Sequence, residues 1–90
     1  MAIELWFADG HTEPHTLKTI RLQDAQAHVQ GYVEVLRVHP RPKTVRSQRL
    51  LANEDGRILG LPHNPRATEW AGYPVVGNVV YLDTLHQLKG

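Results

Sequence analysis

Apolar positions recur at every second residue where the chain begins and at every third or fourth soon after, and the shifting period predicts the order of elements. Ala2 to Ala8 alternates, with Ile3, Leu5 and Phe7 on one face and Glu4 and Trp6 on the other, which reads as a strand. Asp9-Gly10 marks a turn, the polar His11 to His15 segment with Pro14 reads as a loop, and Thr16 to Ile20 as a second short strand. From Leu22 the spacing becomes helical through Ala25, Gln26 and Val29, and Gly31 stands where a left-handed helix cap is expected. Tyr32 to Val38 is the strongest strand, rich in β-branched residues and ended by His39-Pro40-Arg41-Pro42. A long basic loop runs on to Gln48. Beyond it a hairpin is expected, Arg49 to Ala52 pairing with Arg57 to Leu59 across Asn53-Glu54-Asp55-Gly56. Pro74 to Leu82 reads as a last strand, kinked at Gly77-Asn78, and Asp83 to Gly90 as a helical turn with Leu85 and Leu88 inward.

The densest stretch is Gly60-Leu61-Pro62-His63-Asn64-Pro65-Arg66-Ala67-Thr68. Asn64 is a good N-cap and Pro65 a good first helical residue, so a short helix is expected from Pro65 to about Ala71, stopped by Gly72. The leading amides of such a helix lack partners and carry the positive end of its dipole, which suits an anion, with Arg66 beside it. Together these elements predict an α+β fold: a small single domain with a mainly antiparallel twisted sheet of about five strands and two short helices.

Composition narrows the function. Ninety residues make one domain that buries roughly 60–65% of its unfolded surface, so a homo-oligomer is a natural supplement to a modest core. The absence of cysteine excludes disulfides, thiolate catalysis and cysteine-based zinc sites. No signal peptide or membrane span is visible, and a cytoplasmic protein without membrane partners is expected. The net charge is only +1, yet Arg37, Arg41, Lys43, Arg46 and Arg49 fall in one window without an acid. Their forked guanidinium groups suit phosphate or an acidic partner.

Gly31-Tyr32-Val33-Glu34, Asn53-Glu54-Asp55-Gly56-Arg57, the Gly60 to Thr68 element and Val75-Val76-Gly77-Asn78-Val79-Val80 resemble, in this order and spacing, an uncharacterised family of small phage, plasmid and bacterial proteins of unknown function. The Gly-Leu-Pro-x-Asn-x-x-Ala-Thr element is the most specific part; the first strand and the basic loop lie outside the resemblance. It implies a shared fold and a mobile-element origin, with the host cytosol as location if the protein is phage-encoded. It brings no catalytic residues or cofactor.

Catalytic chemistry finds little support in the residues themselves. Ser47, the only serine, lacks the Gly-x-Ser-x-Gly elbow. His11 and His15 are separated by Pro14, no His-Glu-x-x-His is present, and no catalytic or metal-ligating set and no cofactor is expected. Phosphate-cradling glycine motifs are also missing. Binding is the better class. In one version a small phosphorylated ligand, a nucleotide or cyclic-nucleotide signal sequestered in host-defence evasion, meets Asn64, Arg66, Thr68 and His63, with Trp70, Tyr32 or Tyr73 stacking on its base and an oligomer interface completing the pocket. In the other, Arg41, Lys43, Arg46 and Arg49 dock the protein, as an inhibitor or adaptor, on nucleic acid or a host protein.

Overall fold

A computed structural model describes residues 2–36 and 47–90. The chain is an α+β domain. Its main sheet is antiparallel throughout and contains β1 (Ile3–Trp6), β2 (Thr12–Pro14), β4 (Val33–Leu36), β5 (Arg49–Asn53) and β6 (Val79–Leu82). The order across it is β2-β1-β6-β5-β4, and α1 (Leu22–Val29) and α2 (Pro65–Ala71) pack on its two faces. A separate parallel pair joins β3 (Ile20–Arg21) to β7 (Leu88–Lys89), which ties the chain end to the start of α1. No helix of the described residues is long and apolar enough to cross a membrane.

Strand alternation sorts the core into two layers. Ile3, Leu51, Val80 and Leu82 face α1 and meet its buried Ala25 and Val29, four residues apart on one helical face. Trp6, Leu36, Leu50, Ala52, Val79 and Tyr81 face α2, whose Ala67 and Ala71 are fully buried. Small side chains at that spacing let the short helix sit close to the sheet.

The expected α2 is present with both of its expected ends. The Asn64 side chain accepts from the Ala67 N–H, Pro65 opens the helix, and Gly72 closes it at φ 83°. Of the expected strand Pro74 to Leu82 only Val79–Leu82 pairs in the sheet; Val76 makes an isolated bridge with His63, and Gly77 turns the chain at φ 80°, with Leu61 packed so close that a Cβ would lie 2.8 Å from it.

Four local readings are corrected. The left-handed residue after α1 is Gln30, at φ 68°, and not Gly31. Gly31 is required for a different reason: a Cβ there would lie 2.6 Å from Asn53 Nδ2, which donates to the Val29 and Gln30 carbonyls. The second strand is Thr12–Pro14 and not Thr16 to Ile20, because the Asp9-Gly10 turn folds it straight back on β1; of the expected segment only Ile20 is in a strand. Pro14 is tolerated at this sheet edge because an edge residue need not donate a ladder bond. The hairpin from Arg49 to Leu59 does not form. Asp55-Gly56 does turn the chain, but Arg57 to Leu59 continue in turns, and β5 pairs with β4 and β6 instead. At the chain end the helical turn is Leu85–Gln87, with Gln87 buried and Leu85 exposed rather than inward. The far end of the expected strand Tyr32 to Val38 lies outside the described residues.

Candidate functional site

The α2 face of the sheet is aromatic where the α1 face is aliphatic. Trp6 and Tyr81 are cross-strand neighbours on β1 and β6, with rings stacked at 5.3 Å and 7°, and Trp70 of α2 meets Tyr81 edge-on at 6.4 Å. Both geometries are favourable for ring quadrupoles. The polar tips of this cluster are satisfied: Trp6 Nε1 donates to Glu4, while the Tyr81 hydroxyl donates to Asp83 and accepts from Gln48. Burial, reinforced by the Asp83 carboxylate that accepts its proton, pushes the Tyr81 phenol far up, so it stays neutral.

Because α2 is only two turns long, it does not cover the whole of this face. Between its first turn and the β1–β2 turn lies an open depression of about 510 Å³, lined by Trp6, Gly10, Pro65, Arg66, Glu69 and Trp70. The Arg66 guanidinium lies 5.4 Å above the centre of the Trp6 ring, within cation–π range. A cation, the half-buried Trp70 indole and one carboxylate thus border the same opening, with Trp6, only 5% exposed, beneath the guanidinium. The chemistry of Arg66 and Trp70 suits a planar ring bearing an anionic group.

The expected residues divide sharply around this opening. Arg66 and Trp70 line it. Asn64 does not: it is fully buried, with its oxygen capping Ala67 and its nitrogen donating to the Gly77 carbonyl. The Thr68 hydroxyl is likewise committed, accepting from the Val75 N–H and donating to its carbonyl. His63 is exposed in the bridge that pairs with Val76, outside the lining. Tyr32 precedes β4, three strand spacings from β1, or about 14 Å. Tyr73 is half-buried on a different groove, where burial raises its phenol and Glu34 adds to the shift.

The anion cradle expected at the start of α2 also shrinks. Pro65 has no N–H, Asn64 takes the Ala67 N–H with its side chain and the Thr68 N–H with its carbonyl, and the Arg66 N–H alone has no partner among the described residues. The caps that make the helix legible use up its donors. Sequence reading overlooked Trp6 and Gly10, and one signal for Trp6 was available: it sits on the opposite face of β1 from Ile3 and Leu5, beside Glu4.

Of the basic set, Arg41, Lys43 and Arg46 lie outside the described residues. Arg49 is half-buried on the α1 face of β5, with Nη1 donating to the Gln48 carbonyl, beside a second concavity bordered by His86 and Lys89.

Two histidines have pKa values shifted in opposite directions. The His28 Nε2 donates to the Val79 carbonyl at 2.9 Å and reaches the Trp6 carbonyl at 3.3 Å, tying α1 to β1 and β6; burial lowers its pKa. His11 is exposed between Asp9 and Glu13, whose hydrogen bonds raise its pKa. Comparison with family models, curated proteins and solved structures finds no match. The resemblance to the phage and plasmid family rests on its quoted motifs alone.

Proposed function

We propose that this chain is a non-catalytic binding module of mobile-element origin, and that it sequesters a small phosphorylated ligand with a planar base, of the nucleotide or cyclic-nucleotide class, against Trp6, Arg66 and Trp70. The observation that carries this reading is the Arg66 guanidinium over the Trp6 ring at the mouth of a depression that Trp70 also lines. Arg66 supplies a charge for the phosphate and Trp70 supplies a surface for the base. Glu69 on the same rim adds a negative charge, which favours a ligand of low negative charge. The depression is open on its outer side, so a homo-oligomer that places a second subunit there would complete the enclosure. Sequestration needs no catalytic group.

Native mass spectrometry of the purified protein, followed by titration with linear and cyclic nucleotides, tests this. Saturable binding of at least one nucleotide, lost in Arg66→Ala with the fold retained, is expected. Indifference of the wild type to the whole panel, or unchanged binding by Arg66→Ala, would refute it.

A further inference from the structure

The two edges of the main sheet are built differently. At the β2 edge the three residues are exposed, one is charged and the last is Pro14, which blunts the edge against added strands. The β4 edge carries one exposed charge, Glu34, but no proline within Val33–Leu36. The Glu54 N–H donates to the Tyr32 carbonyl, so the backbones of Tyr32, Glu34 and Leu36 face β5, and alternation turns the N–H and C=O groups of Val33 and Val35 outward. Two large exposed apolar side chains lie along this edge, Tyr32 just before β4 and Val35 on it, and the exposed Ile58 lines the groove beside it.

Beside β4, on the α2 face, lies a groove of about 350 Å³ whose floor includes Leu36, Ala52 and Val75. Its rim carries Glu34, Glu54 and Asp55 against one cation, Arg57, which is itself tied to the Pro74 carbonyl. We propose that the β4 edge is a docking site for an extended, basic segment of a partner protein, which adds to the sheet as a further strand. Main-chain bonds to Val33 and Val35 supply affinity, and strand alternation sets the sequence preference. Partner residues on the Glu34 side meet carboxylates and are Lys or Arg, whereas those on the other side meet Val33 and Val35 and are apolar. This surface is separate from the Trp6–Arg66–Trp70 depression and does not depend on it. A second copy paired about a two-fold axis would set these acidic rims together, which disfavours self-association through the same edge.

The test is titration of the full chain with a capped peptide alternating Val and Lys, with an alternating Val and Glu peptide as control, read by calorimetry and by backbone amide shifts. The expected result is saturable binding of the Lys peptide, with shifts at residues 33–36 and affinity at least about tenfold above that of the Glu peptide. Val35→Pro removes an outward N–H without removing a bond to β5, so it abolishes binding while the thermal melt stays cooperative. Glu34→Gln weakens binding by several-fold and steepens no unfolding transition. No binding of the Lys peptide, equal binding of both peptides, or unchanged binding in Val35→Pro overturns the proposal. So does a wild-type dimer that Val35→Pro converts to monomer, since the occupant is then a second copy.

Discussion

The two faces of the central sheet are built from different side chains. The α1 face is a closed aliphatic layer in which Leu51, Val80 and Leu82 have no exposed surface, and the helix over it is anchored by Ala25 and Val29. The α2 face is built from Trp6, Tyr81, Trp70 and small alanines under a shorter helix, and it stays open beside Arg66. Aliphatic burial gives cohesion without direction, whereas ring stacking and a guanidinium give direction and leave an opening. Both layers are buried core, and the α2 face keeps an opening beside Arg66, where the proposed binding falls.

Truncation of the closed layer separates the two most strongly. Leu51→Ala is expected to cost about 3 kcal/mol and to lower the melting temperature by roughly 10–20 °C. A calorimetric melt checks it, and a loss as small as that of an exposed residue would contradict the division. Next comes Asn64→Ala, which removes the α2 cap and the donor to the Gly77 carbonyl together, for about 2 kcal/mol by chemical denaturation. Gly31→Ala is expected to cost about 1–2 kcal/mol, because its Cβ pushes Asn53 off the carbonyls at the end of α1. Replacement by Ala at Gly60, with open space around its Cβ position, is the control that isolates backbone strain from this contact.

The pH response is smaller and has two opposing parts. His28 has a lowered folded pKa, so the unfolded chain takes up its proton first as pH falls below 6.5, and stability declines from there toward the folded pKa. His11 has a raised folded pKa, so its contribution is complete below 6.5 and is lost as pH rises through the folded value. In denaturation curves between pH 5 and 8, His28→Gln is expected to flatten the acid loss and His11→Asn to deepen it.

These differences also explain how much was legible in the residues. α2 was read correctly because Asn64, Pro65 and Gly72 specify its ends through contacts within the segment. The role of Gly31 was not, since the Asn53 side chain that demands it is 22 positions away in the chain. Asp55-Gly56 gave a true turn but a false hairpin, because β5 finds its partners in β4 and β6 and leaves Ile58 outside. For the site, Arg66 and Trp70 were visible as neighbours on one helix. Trp6 comes from the opposite end of the chain and joins them only through the pairing of β1 with β6. Asn64 and Thr68 have ligand-binding chemistry, yet the fold consumes it.

The central claim, that the aromatic face is the recognition face, is tested most directly by intrinsic fluorescence, since the chain's two tryptophans, Trp6 and Trp70, both line the depression. Titration of wild type and Arg66→Ala with a mononucleotide, alongside their thermal melts, separates recognition from stability. The account predicts saturable quenching in the wild type, its loss in Arg66→Ala, and a stability change below about 1 kcal/mol for that exposed substitution. Quenching that survives in Arg66→Ala, or a variant that loses quenching only because it unfolds, would contradict it.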